Sequence, residues 1–205
     1  MKNPKPFLAF LLFSIVLTGC EKKFSESLAL AEKSFAEKNH IDTIDTLVEA
    51  LPRWEESDGN ESKGRAYELL GKSYHQMRNT DKAMAAYKQA VELSEKSFDS
   101  ATALGNLHLM KNQPQQARQN FQAAIKMKPS DPLAYLGLGN SYFMEKKTAE
   151  AIRAFEQVIE KSPGVREAQE QLQVLKSRPK LKPRKIDATS AKKGAKKNQG
   201  SRKKR

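Results

Sequence analysis

The sequence predicts an all-α fold, a solenoid of stacked helix pairs, from its composition and from a period of 34 residues. Ala, Lys, Glu, Gln and Leu are abundant in the 205-residue chain, and these residues favour helix. A Leu-Gly pair recurs every 34 residues, at Leu70-Gly71, Leu104-Gly105 and Leu138-Gly139. Intervals of this length are typical of helical repeats, which bury their apolar faces by stacking on their neighbours.

Further positions keep the same interval. On the second helix of each unit they are two small or branched residues and an aromatic one: Ala83, Ala117 and Ala151; Tyr87, Phe121 and Phe155; Ala90, Ala124 and Val158. On the first helix Tyr74, His108 and Tyr142 align, and Pro129 and Pro163 close the last two units. The pattern resembles the tetratricopeptide repeat over residues 64–163. This resemblance implies a right-handed superhelix (an α-solenoid) with a concave groove that binds protein or peptide.

The helical wheel explains why these residue types recur. In the last unit Gly139 lies on the packed face of the first helix. We expect Gly139 to let the second helix approach, Ala151 to fill that contact and Phe155 to pack between repeats. Thr80 and Thr148 follow the turns inside two units, and we expect them to be N-caps.

We also predict a degenerate unit before these three and a capping helix after them. Apolar residues match the first unit at Leu28, Ala31, Phe35, Ile44, Val48 and Leu51. In this alignment Glu32 replaces the glycine and Ile44 lies 39 residues before Ala83, so about five residues are inserted near 52–62. The capping helix carries one apolar stripe, formed by Val165, Ala168, Leu172 and Leu175.

The chain therefore divides into four parts. These are a signal peptide at 1–19, a linker at 20–24, the repeat domain at 25–178 and a tail at 179–205. The repeats are placed at 25–58, 64–97, 98–131 and 132–165, and the capping helix at 165–178.

The first twenty residues, MKNPKPFLAFLLFSIVLTGC, have the form of a secretory signal peptide. Lys2 and Lys5 precede an apolar run from Phe7 to Thr18. As a helix this run would rise about 18 Å, well short of the roughly 30 Å hydrocarbon core of a bilayer. The run is therefore too short to be a membrane-spanning helix.

The end of the run, Leu17-Thr18-Gly19-Cys20, resembles the lipobox of bacterial lipoproteins. That resemblance implies cleavage between Gly19 and Cys20, a lipid on the Cys20 sulfur and anchoring in the envelope, facing the periplasm. In enterobacterial lipoproteins an Asp after the lipidated Cys favours the inner membrane, so Glu21 favours the outer membrane. The single cysteine excludes an internal disulfide, and packing alone must stabilise the exported domain.

The net charge of +13 belongs to the two ends of the chain. Residues 179–205 hold twelve Lys or Arg against one acid, Asp187, whereas the charges of residues 20–178 cancel. The composition of this tail predicts disorder. An anionic partner such as lipid headgroups or cell-wall polymer is expected to contact it. The absence of aromatic residues among the lysines argues against nucleic acid.

We predict that the groove is lined by the unpacked faces of the first helices. The expected peptide-contacting residues are Lys72, Gln76, Asn106, Leu109, Met110, Leu133, Leu136, Asn140, Phe143 and Met144. Exposed Leu, Met and Phe side chains suit peptide docking, and the two asparagines can bond to a partner backbone. The alternative is that Leu133, Leu136 and Phe143 pack against the capping helix. Too few basic residues line the groove for the carboxylate clamp of chaperone-binding members of the family.

The sequence shows no motif for catalysis, for a metal or for a cofactor. His75 and His108 lie on adjacent first helices, but no nearby carboxylate or thiolate completes a metal site, so a structural role is expected. Trp54 is expected to pack on the first helix pair. The leading hypothesis is a non-catalytic scaffold or assembly factor that binds an envelope protein or peptide. The alternative is a binder of polyanions that acts through the basic tail.

The lipobox gives the first testable prediction. The mature protein should begin at Cys20 and carry fatty acid, which mass spectrometry of its N-terminal peptide would detect. Cys20→Ser should remove the lipid and release the protein from the membrane fraction, because two or three acyl chains supply about 0.8 kcal/mol per buried methylene. A mature protein that retains residues 1–19 without fatty acid would contradict the prediction.

Overall fold

The structure is a computed structural model that describes residues 23–177. This part of the chain contains nine α-helices: α1 Phe24–Ala36, α2 His40–Ala50, α3 Asn60–Gln76, α4 Thr80–Leu93, α5 Phe98–Met110, α6 Pro114–Met127, α7 Pro132–Met144, α8 Thr148–Lys161 and α9 Arg166–Ser177. Two short 3₁₀ helices, Leu51–Arg53 and Glu56–Asp58, follow α2. The predicted all-α fold is confirmed. The signal peptide, Cys20 and the basic tail lie outside the described residues.

Consecutive helices form hairpins that stack in chain order, from α1–α2 to α7–α8, and α9 packs on α8. The first helices of neighbouring hairpins also contact one another, α1 with α3, α3 with α5 and α5 with α7, more closely than the second helices do. The stack therefore curves with the first helices on its concave side.

Aromatic rings lying on glycine backbone hold the hairpins in register. Phe121 of α6 is fully buried, and a β-carbon added at Gly105 in its own hairpin would meet the ring at 2.8 Å. A β-carbon at Gly137 of the next hairpin would come still closer to the same ring. The ring of Phe155 lies against Gly139 in the same way, as the sequence predicts. Phe121 is thus wedged between two hairpins, each of which needs glycine at the contact.

The capping helix α9 continues the repeat. Ala168 follows Ala134 by 34 residues, and both are fully buried at the joint with the preceding hairpin. Leu175 follows Ser141 by the same interval and is also buried. By register α9 is therefore a further first helix.

The first hairpin differs by one residue from the predicted alignment. The turn inside each hairpin has one residue with φ between 57° and 61°, and these residues are Lys38, Arg78, Asn112 and Lys146. The first interval is 40 and the next two are 34. Ala31, and not Glu32, therefore occupies the glycine position, and Thr43, and not Ile44, corresponds to Ala83. The insertion is six residues and not five.

The physical reason is a compensating exchange inside the first hairpin. At the position of the aromatic ring the first hairpin has Leu47, which is fully buried. A leucine side chain does not lie flat on the facing helix as a ring does, so the facing residue can keep a β-carbon. Ala31 is accordingly fully buried there, whereas Glu32 is exposed to the groove.

The helix starts also correct the sequence prediction. Asn79 caps α4 by accepting a hydrogen bond from the Lys82 backbone N–H, and Thr80 is the first helical residue. Thr148 likewise begins α8, and no side chain caps that helix. The region predicted as inserted already contains the start of α3. Trp54 packs on the first hairpin, as predicted, and its Nε1 donates to the Gly59 carbonyl at 3.2 Å.

The wedged ring gives a prediction for stability. Gly137→Ala should lower the free energy of unfolding by roughly 1–3 kcal/mol, because the new methyl group overpacks the contact with Phe121. Gly164→Ala is the matched control, since nothing lies within 4 Å of its added β-carbon. Urea titration of both variants measures the difference. Equal stabilities would show that the ring does not need glycine at this position.

Candidate functional site

Polar contacts join neighbouring first helices along the concave face, and we call them the polar bridges. They are Arg65 Nε to Glu32 Oε1 at 3.1 Å, Lys72 Nζ to Asp99 Oδ2 at 3.3 Å and Asn140 Nδ2 to Glu167 Oε1 at 3.1 Å. The partners are 27 residues apart in the last two and 33 apart in the first, which contains the six-residue insertion. Each bridge therefore uses the same two positions of the repeat.

Between α5 and α7 the same two positions carry Asn106 and Leu133, which cannot form such a bridge. We call this pair the unbridged step. Within residues 23–177 the Asn106 amide has no hydrogen-bond partner, and Leu133 is 57% exposed. Met110 lies one helical turn beyond Asn106 on the same face and is 75% exposed. The unbridged step thus combines an available amide with apolar surface.

The charges at the N-terminal end of the groove compensate one another. The mostly buried Glu68 carboxylate accepts hydrogen bonds from Arg65 Nη1 at 2.9 Å and from Lys72 Nζ at 2.5 Å. Both cations also belong to polar bridges, so each contacts two carboxylates. A cavity of about 610 Å³ lies at this end, and its lining includes Glu61, Lys96 and three serines. A ligand carboxylate would have to displace an internal partner to reach Lys72.

The structure separates the ten predicted groove residues into two groups. Leu136 and Phe143 are partly buried in the cluster formed with α8 and α9, and Asn140 is bonded to Glu167. The alternative interpretation, packing against the capping helix, therefore holds for these apolar residues but not for Leu133. The remaining predicted residues are Gln76 and Met144, exposed at helix ends, and Leu109, which is half-buried.

Sequence reasoning missed the polar bridges, although the signal was present. Residues 27 apart on successive first helices have complementary polar side chains at Lys72 and Asp99, and again at Asn140 and Glu167. Asn106 and Leu133 have the same spacing without complementarity. A scan at this interval would have distinguished the unbridged step from the rest of the groove.

The histidines do not form a metal site. His75 is exposed, and His108 Nδ1 lies 2.8 Å from Gln113 Oε1. Over residues 23–177 no group of three or more His, Cys, Asp or Glu side chains could hold a metal ion. In the same part of the chain no helix is both long and apolar enough to cross a membrane.

A buried carboxylate fixes the turn between α7 and α8. Glu145, whose side chain is only 4% exposed, accepts hydrogen bonds from Lys147 Nζ and, at 2.9 Å, from Arg118 Nε. Arg118 belongs to the preceding hairpin, so this contact ties the two hairpins together. Hydrogen bonding from Lys147, and then from Arg118, lowers the pKa of Glu145 against the opposing effect of burial.

Comparison with known proteins agrees with this architecture. Two tetratricopeptide-repeat family models match the chain, one over residues 24–96 and the other over residues 102–166. The chain belongs to the tetratricopeptide-repeat family. The two matches cover most of α1 to α8, including the degenerate first hairpin that is predicted from the sequence.

Individual tetratricopeptide-repeat proteins resemble the chain more distantly. A stretch of 64 residues, 31% of this chain, is 30% identical to Tetratricopeptide repeat protein 1 of Schizosaccharomyces pombe but spans only 6% of that protein. The crystal structure of MamA matches with a TM-score of 0.64 and 23% identity, over 74% of this chain and 80% of MamA. YrrB, a tetratricopeptide-repeat protein with an unusual peptide-binding site, gives 0.63 and 21%, over 73% and 74% of the two chains. These structural likenesses show the fold.

The Glu145 contacts predict how stability depends on pH. Because the folded pKa of Glu145 is below its ordinary value of 4.5, its stabilising contribution is complete above that pH and is lost as the pH falls through the lowered pKa. Glu145→Gln should therefore cost about 1 kcal/mol of unfolding free energy at pH 7 and less in acid. Glu150→Gln, at an exposed position of α8, is the control. Urea titrations at pH 7 and pH 3 test this, and an equal cost at both would contradict it.

Proposed function

We propose that this chain is a non-catalytic scaffold that binds an extended, apolar segment of another protein at the unbridged step of its groove. The observation that carries the proposal is the coincidence of an unpartnered Asn106 amide with exposed Leu133 and Met110 on the concave face. An amide that both donates and accepts can pair with the backbone of an extended peptide. The two apolar side chains can cover one or two side chains of that peptide.

Energetics favour apolar ligands over acidic ones. Fully burying a Leu or Met side chain contributes about 1.5–3 kcal/mol, and both side chains are available at the unbridged step. Lys72 and Arg65 are already neutralised by carboxylates of the protein, so an acidic peptide would gain little from them. The groove therefore selects for hydrophobic side chains.

The polar bridges set the length of the ligand. The Lys72–Asp99 bridge lies on one side of the unbridged step and the Asn140–Glu167 bridge on the other. The interval is about the width of two helix pairs, roughly 20 Å. An extended chain of about six residues spans that distance.

The lipobox supplies the location. Cys20 precedes the first described residue, Lys23, by three positions, which corresponds to about 10 Å of extended chain. A lipid on Cys20 would hold the repeat domain close to the membrane surface, and Glu21 favours the outer membrane. The partner is accordingly an envelope protein that presents an unfolded apolar segment, which suits an assembly or adaptor role.

This proposal predicts the effect of one double variant. Met110→Gln combined with Leu133→Gln should weaken the binding of apolar peptides, selected by display on the full chain, about tenfold or more. Fluorescence polarisation of labelled peptides measures the change. Both positions are exposed, so thermal stability should remain within the range normal for surface substitutions.

Two controls make the result specific. Val174→Gln removes an exposed apolar side chain from α9 outside the unbridged step and should leave affinity unchanged. Deleting residues 179–205 should also leave it unchanged. If the deletion abolishes binding, the tail is the binding element and the chain is a polyanion binder. If the double variant binds as tightly as the parent, the unbridged step is not the site.

A further inference from the structure

The outer face of α2 carries two large apolar side chains that no described residue covers. Ile41 is 59% exposed and Val48 is 52% exposed. At the corresponding positions the next three hairpins have Asp81, Gln115 and Ala149, and Lys88, Gln122 and Glu156. Among the described hairpins, only the first therefore presents two large apolar residues on this face.

The surroundings of this face are apolar and acidic. Ile41 lines a depression of about 250 Å³ together with Ile44, Tyr74 and Met77. Asp45 lies at its edge, is exposed, and forms no ion pair within the described part of the chain. Two more acids on α2, Asp42 and Glu49, bond to Asn39 and Arg53, while Lys82 lines the opposite wall.

An anionic membrane surface does not fit this face, because the unpaired carboxylate of Asp45 would be repelled. The complementary ligand is a segment with apolar and basic side chains. The chain contains such a segment directly after α9. Residues 178–186, RPKLKPRKI, have five basic residues and no acid, and Leu181 and Ile186 are the only large apolar residues beyond Ser177.

The segment cannot reach α2 of its own chain. Leu181 is four residues beyond Ser177, which allows at most about 14 Å. Three hairpins, α3–α4, α5–α6 and α7–α8, separate α2 from α9. With helix layers about 8–10 Å apart, they place α2 roughly 30 Å away.

We propose that residues 178–186 of one copy of this chain dock on the outer face of α2 in a second copy. Leu181 and Ile186 cover Ile41 and Val48, and the flanking lysines and arginines lie near Asp45. The contact joins two different surfaces, so each copy keeps a free face and a free tail, and association continues head to tail. The groove takes no part in this contact, so the inference is independent of the proposed function.

Sedimentation velocity of the chain from residue 20 onward, with Cys20→Ser, tests the proposal. The parent should associate reversibly with rising concentration, and association should weaken as salt increases because basic residues contribute. Ile41→Gln with Val48→Gln, which gives α2 the residue type found at Gln115 and Gln122, should weaken association about tenfold or more. Leu181→Gln with Ile186→Gln should do the same.

Mixing the two double variants is the decisive step. One lacks the face and keeps the tail, and the other has the reverse, so the mixture should form dimers that neither variant forms alone and that do not grow further. The groove variant Met110→Gln/Leu133→Gln is the matched control, with the same number and type of changes, and should associate like the parent. Circular dichroism verifies that each variant is folded.

Three results would overturn the proposal. A parent that stays monomeric up to about 200 µM, well above the concentration for a micromolar contact, shows that there is no such interface. A tail variant that still associates like the parent shows that the α2 faces pair with each other or with another surface. A mixture that forms no dimers shows that the tail does not bind the face.

Discussion

The contact between an aromatic ring and a glycine backbone determines the geometry of this protein. Phe121 lies on Gly105 of its own hairpin and on Gly137 of the next, so one side chain sets both the spacing within a hairpin and the spacing between hairpins. Packed interiors do not deform continuously, and a change of one methyl group at such a contact is felt. The order of the first helices along the groove follows from this contact.

That order converts sequence spacing into function. Since the first helices are held in a fixed register, residues 27 apart face each other across the groove, and polar residues at both positions form bridges. Where the residues are Asn106 and Leu133, the surface remains available for a partner. The bridges also neutralise the cations near Glu68, so the groove discriminates by hydrophobicity and not by charge. A neutral repeat domain between charged ends is consistent with this division of roles.

The periodic part of the fold could be predicted from the sequence, because ring-on-glycine packing needs a fixed residue at a fixed interval. Gly139 and Phe155 were placed correctly on these grounds. The first hairpin was misaligned because its glycine and its ring are both replaced, by Ala31 and Leu47, and a compensating exchange leaves no single-residue signal. The burial of Leu136 could not be predicted, since it depends on where α9 packs.

The central claim is that an extended apolar segment binds across α5 and α7. The most direct measurement is a crystal structure of the chain with a bound peptide selected from a random library. We expect the peptide backbone to hydrogen-bond to Asn106 and an apolar side chain to lie between Met110 and Leu133. A peptide on the convex face, or one whose carboxylate displaces Glu68 from Lys72, would contradict the account.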